Sequence, residues 1–291
     1  MGKAACPYCN SREVGQVREL TSSCVFRCKE CGLGFQFPPP SHKEIRKYYT
    51  ESVYPEVWGK HRGPFREMKK LTYKWVFRHL PKGEEKELLD IGTGYGFFLV
   101  EAKRHGYKPI GIEPSVQLAE IAQEESGAEV INEFFEDIEF NPHTFDVVSL
   151  LDTLEHTESP WTVLRKAASL VKPGGYLVMT TPDYGSFSAR ILGKFWFHLK
   201  DEHYFYFLGK FLERSLVSEG FRIVKLIPQK RPLTLAYLEN HFRIYSIPIL
   251  SPILYRLVSL LPVRLKNKVL SIYDGNLFLI AQKDSLSPRA Y

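Results

Sequence analysis

The chain has 291 residues, 44% of them hydrophobic, 14% aromatic and 25% charged, which excludes disordered, low-complexity and collagen-like architectures. Its length suits one full-sized domain with a smaller module attached. The net charge of +6 is uneven: residues 221–291 hold 11 Lys and Arg against 3 Asp and Glu, while the first 220 hold 28 against 30. A basic segment rich in Leu, Ile and Tyr attracts anionic partners such as lipid headgroups, phosphorylated substrates or nucleic acid. No apolar run reaches the roughly 18 to 20 residues of a spanning helix, and the start "MGKAACPYCN" has no apolar signal-peptide region, so a cytoplasmic protein is expected.

Residues 1–40 carry Cys6-Pro7-Tyr8-Cys9 and Cys28-Lys29-Glu30-Cys31, two C-x-x-C turns with 18 residues between them, and end in three consecutive prolines. Each turn presents two thiolates, and two such turns close a tetrahedron, so Cys6, Cys9, Cys28 and Cys31 are expected to bind Zn2+ in a small zinc ribbon. A closed four-thiolate site has no open position for water, which gives it a structural or binding role. The fifth cysteine, Cys24, reads as a packed thiol in a hairpin arm.

Residues 41–63 form a linker or lid segment, and from 64 onward the main domain begins with an amphipathic helix over Pro64–Leu80, where Phe65, Met68, Leu71, Trp75 and Val76 recur at steps of three and four. Short apolar runs at Leu88–Ile91, Pro109–Ile112, Glu129–Ile131, Phe145–Leu151 and Tyr176–Thr180 then alternate with helical stretches after Gly96, Ser115 and Pro160. Such alternation predicts an α/β fold with a doubly wound, mostly parallel sheet covered on both faces. Phe221–Ile227 and Asn276–Gln282 bring the strand count to seven, with an insertion at 229–274 between them.

In "LLDIGTGYGFFL", Asp90, Gly92, Gly94 and Gly96 fall where a strand meets a helix, and Glu113 ends the next strand, about 20 positions on. Closely spaced glycines let a ligand approach the backbone, and an acidic residue at that interval can take both ribose hydroxyls of an adenosine. A dinucleotide loop would need glycine at 97, where this chain has Phe97, so NAD is disfavoured. Asp90 would repel a pyrophosphate but suits the cationic end of a sulfonium amino acid.

With "GIEPS", "FDVVSLLDTLEH", "VKPGG" and "TTPD", residues 64–228 and 275–283 resemble a class I S-adenosylmethionine-dependent methyltransferase. The segments "CPYC...CKECGLGFQFPPPSHKEIRKYY" and "LGKFWFHLKDEHYFYF" resemble a small-molecule branch with an N-terminal zinc ribbon, related to quinone O-methyltransferases. The resemblance implies a Rossmann-like sheet, S-adenosylmethionine as cofactor, Asp90, Gly92 and Gly94 at the methionine moiety and Glu113 at the ribose. Where many members carry an acidic residue for the adenine amino group, this chain has Phe134. Phe135 then either stacks on the base, with Glu136 or Asp137 compensating, or serves as an ordinary core side chain.

Methyl transfer is an in-line displacement, so alignment dominates and a base is needed only for an acceptor proton of high pKa. His156 follows the fourth strand and His198, Asp201, Glu202 and His203 follow the fifth, where parallel sheets bind ligands. His203 and His156 are the candidate bases, with loop hydrogen bonding the other reading of His156. In the insertion, Pro248, Pro252 and Pro262 separate short helices; Ile253, Leu254, Leu257, Val258 and Leu261 share an apolar face, close to Arg264, Lys266 and Lys268. An interfacial helix pair contacting a membrane or lipid-linked substrate through 247–272 explains these residues, and so does a lid over the acceptor, which is the favoured reading. The leading expectation is O- or C-methylation of a small-molecule acceptor: a glycan, a lipid-linked molecule or a quinone-like compound. An RNA methyltransferase using the ribbon and basic C-terminal region, and a nucleoside-binding scaffold without turnover, are the alternatives.

Overall fold

The computed structural model describes residues 4–51, 62–244 and 250–285. The chain opens with three strands, β1 (Val14–Glu19), β2 (Cys24–Cys28) and β3 (Gly34–Phe37), followed by helix α1 (His42–Glu51). Helix α2 (Arg62–Phe77) then leads into β4 (Glu87–Ile91), α3 (Phe97–Arg104), β5 (Lys108–Ile112), α4 (Val116–Ser126) and β6 (Glu129–Ile131). The second half of the wind is β7 (Phe145–Leu151), α5 (Pro160–Leu170) and β8 (Val171–Pro182). After α6 (Phe187–Leu192) and the two-residue β9 (Phe205–Tyr206) come α7 (Gly209–Ser218) and β10 (Phe221–Thr234). Helices α8 (Leu235–Ile244), α9 (Leu250–Ser259) and α10 (Val263–Lys266) precede the last strand, β11 (Val269–Lys283).

Seven strands form one sheet in the order β10-β11-β8-β7-β4-β5-β6. The five from β6 to β8 pair in parallel, and β11 runs antiparallel to both β8 and β10. The chain winds outward from β4 through β5 to β6, then returns to β7 on the other side of β4, so the order reverses beside β4. Ligands of such sheets bind at the carboxyl ends of the strands flanking that reversal. Two apolar layers hold the arrangement: Val163, Leu164 and Ala167 of α5 pack with Leu89, Val148 and Leu177 on one face, and Val76 and Phe77 of α2 with Phe98, Leu88 and Val178 on the other.

The insertion is shorter than its expected 229–274 bounds. Strands β10 and β11 remain paired from Phe221↔Lys283 to Thr234↔Val269, so helical structure occupies only the stretch between them. The prolines at 228 and 232 are tolerated because β10 is an edge strand. The expected single apolar face of the insertion is divided in the fold: Val258 is buried, Leu254 and Leu261 are half-buried, and Ile253 and Leu257 are exposed. Of the linker or lid segment 41–63, residues 52–61 lie outside the described residues, as do 245–249 of the insertion.

The cysteine-bearing strands do not stand apart. Their sheet, β1-β2-β3-β9, takes its fourth strand from the segment after β8, through Gly34↔Tyr206 and Phe35↔Phe205. Cys6, Cys28, Leu33 and Phe35 belong to the same apolar cluster as Phe205, Phe207 and Leu150.

Candidate active site

Strand β4 ends in Ile91, and the turn that follows needs left-handed backbone at Gly92 (φ 75°) and Gly94 (φ 56°). A Cβ on Gly92 would lie 2.7 Å from the Thr153 side chain, whereas one on Gly94 would meet nothing within 4 Å. The first glycine therefore permits close packing of two loops, and the second leaves a ligand-sized approach to the backbone. Glu113, at the tip of β5, accepts from the backbone N–H of Gly94 at 2.8 Å and of Ser115 at 3.1 Å. Its carboxylate retains lone pairs for ribose hydroxyls, so the loop and the acid are pre-set against each other. Burial pushes its pKa up to about 7.

Gly92, Gly94, Glu113 and Phe135 all line one cavity of about 410 Å³ that runs across the carboxyl ends of the strands. Asp90 does not line it. It is buried behind the loop, where it accepts from the hydroxyls of Thr93 and Ser149 at 2.6 Å each, and burial raises its pKa to about 6. The sequence reading placed Asp90 at the ligand; the fold gives that wall to Gly92, Thr93 and Gly94 and makes Asp90 the anchor of the turn.

At the nucleoside end, Phe134, Phe135 and Glu136 line the cavity together with Pro114 and Leu118. Phe135 is also in the main apolar cluster, and the Lys166 ammonium, 4.8 Å from its ring centroid, donates to the carbonyls of Phe135, Glu136 and Ile138. The Arg46 guanidinium of α1 stacks 4.3 Å from the centroid of Phe134 and pairs with Asp137. Helix α1 thus closes this end, bringing Ile45, Tyr48 and Tyr49 to the wall.

The other end of the cavity is built by β7, β8, β11 and the loop after α6. His156 and His203 meet here, ring centroids 4.7 Å apart and nearly perpendicular, with His198 6.3 Å from His203. The His156 Nδ1 donates to the Glu202 carbonyl at 2.7 Å, which leaves Nε2 with its lone pair. Burial lowers His156 and drives His203 well below the usual histidine range, which favours the neutral imidazoles, and the His203 Nδ1 has no partner among the described residues. Glu155, held by the Thr181 hydroxyl at 2.8 Å, is pushed up to about 8 by burial and by the charge of Asp152.

Beside these groups lies an ion-pair network that the sequence reading missed. Both carboxylate oxygens of Asp152 accept from Arg231, at 2.7 and 2.9 Å, and Lys69 reaches the same carboxylate at 3.2 Å. Burial alone would raise Asp152, but Arg231 and Lys69 hold it well below the ordinary carboxylate range. Asp152 sits at φ 57°, a backbone state that no residue-type pattern announces, and Arg231 lay in a segment read only for its bulk charge. Tyr237 of α8 lines the cavity beside them, so the first helix of the insertion covers the acceptor end.

The four cysteines also converge. Cys6 Sγ lies 3.6 Å from Cys31 Sγ and Cys9 Sγ 3.6 Å from Cys28 Sγ, and all four sulfurs fall within 4.8 Å of one another. Zinc–sulfur bonds of about 2.3 Å in a tetrahedron put the sulfurs about 3.8 Å apart, so the donor set fits such an ion. Burial raises the Cys6 and Cys31 thiols, while for Cys28 it is outweighed by backbone and thiol hydrogen bonds that bring the pKa to about 7.

The family model described as "Methyltransferase domain" matches residues 64–226. The chain belongs to that family. It is 32% identical over 149 residues to a ubiquinone biosynthesis O-methyltransferase of Serratia proteamaculans, covering 48% of this chain and 61% of that protein. An uncharacterized protein of Methanocaldococcus jannaschii is 35% identical over 153 residues, 51% of this chain and 69% of that one. Among solved structures, an S-adenosylmethionine-dependent methyltransferase from Archaeoglobus fulgidus superposes with a TM-score of 0.54 at 20% identity, over 80% of this chain and 100% of that one, a likeness of fold. The chain spans 61% and 42% of the lengths of the first two curated relatives it matches.

Proposed function

We propose that the protein transfers a methyl group from S-adenosylmethionine to an oxygen of a small-molecule acceptor. The observation that carries the reading is a single cavity joining the Gly94–Glu113 nucleoside site to the His156–His203 pair. The cofactor would supply an electrophilic methyl on a sulfonium. Glu113 holds the ribose hydroxyls, and the Gly92–Gly94 backbone takes the methionine end. Phe134 and Phe135 flank the base. At the acceptor end, an oxygen lone pair forms the new bond to carbon while the carbon–sulfur bonding pair stays on sulfur. The neutral His203, with Nδ1 bare, takes the proton the acceptor hydroxyl releases.

The ubiquinone O-methyltransferase relatives favour a phenolic or quinone-like acceptor, and the RNA alternative finds no support among the proteins named above. Zn2+ at Cys6, Cys9, Cys28 and Cys31 is part of the proposal. No helix among the described residues is long and apolar enough to cross a membrane. Leu257, Leu260 and Val263 are nevertheless exposed beside Arg256, Arg264 and Lys268, which supports peripheral contact with an anionic lipid surface carrying the acceptor. The test is transfer of labelled methyl from S-adenosylmethionine to catechol-type phenols, alone and in anionic vesicles. Binding of the cofactor without transfer to any phenol would leave only the nucleoside site standing.

A further inference from the structure

One ligand-capable atom from each of Glu155, His156 and His203 lies within 4.8 Å of the other two. We propose that these three side chains hold a divalent transition-metal ion at the acceptor end of the cavity, separate from the four-cysteine site. The first support is the tautomer of His156. His156 spends Nδ1–H on the Glu202 carbonyl at 2.7 Å, which fixes its tautomer and leaves Nε2 bare. That is the arrangement metal-ligating histidines show when a carbonyl holds the far side of the ring. The second support is the orphaned His203 Nδ1 itself. The residue is 7% exposed, it lines the cavity, and a buried acceptor left without a donor calls for a ligand.

The third support is the donor set. Two imidazoles and one carboxylate suit zinc and its transition-metal neighbours over Mg2+ or Ca2+, and three protein ligands leave an open position. Glu155 is steadied by the Thr181 hydroxyl, so the carboxylate too is oriented. The nearby cations are already engaged: Arg231 and Lys69 with Asp152, and Lys200 3.8 Å from Glu202. All three side chains line the cavity, so an ion held there would be within reach of a phenol or enol oxygen and would lower its pKa. That catalytic meaning rests on the methyl-transfer reading, whereas the ion site does not. An ion on His203 Nδ1 would also replace protonation there as the means of generating the acceptor oxyanion.

The test is titration of the full-length, metal-stripped protein with Co2+, followed by absorption, with no cofactor or acceptor present. A four-thiolate site gives thiolate-to-cobalt charge transfer, and a two-histidine, one-carboxylate site gives only ligand-field bands. Two equivalents are expected, one of each kind. Glu155→Gln and His203→Gln should each weaken the second by at least about 100-fold while leaving the charge-transfer equivalent intact, which also verifies that the variants fold. Saturation at one equivalent, or a second equivalent that survives both substitutions, would overturn the site. Calorimetry with S-adenosylmethionine on the same samples separates the two readings: loss of cofactor binding with both cobalt equivalents present defeats the transferase and leaves the ion site supported.

Discussion

Glu113 shows how one buried side chain can organise a binding site before the ligand arrives. Its two oxygens already hold the N–H groups of Gly94 and Ser115, so the glycine turn and the start of α4 are tied to the acid proposed to take the ribose. Removing it costs the two ribose hydrogen bonds and loosens the turn; Glu113→Ala should weaken S-adenosylmethionine binding by about 30-fold or more, roughly 2 kcal/mol, as read by calorimetry. Wild-type affinity in that variant would take the residue out of the site. The raised pKa values add a pH signature. Asp90 moves from 3.8 to about 6 and Glu113 from 4.5 to about 7, because burial disfavours their charge. The folded state therefore keeps protons that the unfolded chain releases, and the stability they contribute is full below about pH 4 and lost as pH rises through 6 and 7. Melting temperature of the ligand-free protein should fall across that interval, and Glu113→Gln should flatten its upper part. A profile unchanged by the substitution would show that Glu113 does not titrate there.

At the level of elements, the parallel wind was legible because each buried strand is a short, dense apolar run and each crossover helix starts at a glycine, serine or proline signal. What was not legible depends on contacts between distant segments. β9 is two residues long and exists only because β3 offers it an edge. The extension of β10 to Thr234 comes from pairing with β11 and runs through prolines that suggest a loop. Gln36 of β3 illustrates the same point with a single side chain: its amide lies 2.9 to 3.0 Å from the carbonyls of Lys200, Asp201 and His203, and its oxygen accepts from Ser23. That amide holds the acceptor loop in place from outside the main sheet. Gln36→Leu should cost about 1 to 3 kcal/mol in chemical denaturation, since buried carbonyls lose their donor. Cofactor affinity, built on β4 and β5, should be kept while transfer slows; an equal loss of both would mean the effect is global. The glycine-loop site was readable from local spacing, and so were His156 and His203. Asp152, Arg231 and Lys69 were not, because their meeting requires β7, β10 and α2 to be assembled first.

Across the whole molecule, the cysteine-bearing sheet and the acceptor loop behave as one structural unit. Arg18 donates to the Leu199 carbonyl, the Thr21 hydroxyl and N–H both donate to Asp201, and the backbone N–H of Gln36 reaches the Tyr204 carbonyl. Cys6 and Cys28 share their apolar cluster with Tyr204, Phe205 and Phe207, just after His203 in the chain. The four-thiolate site is closed to substrate, so its bearing on chemistry must pass through these contacts. If Zn2+ binds there as proposed, removing it takes away the link between the two C-x-x-C turns, and the loop bearing His198 and His203 loses part of its outer support. The proposed nucleoside site rests mainly on β4, β5 and α4, which the cysteine sheet does not pair with, while α1 adds Ile45, Tyr48 and Tyr49 to its wall. Cys6→Ser should therefore abolish the charge-transfer cobalt equivalent. It should leave S-adenosylmethionine affinity within about threefold of wild type and lower single-turnover transfer at least about tenfold. Full transfer without the four-thiolate ion would sever the link and make the ribbon a module of separate purpose.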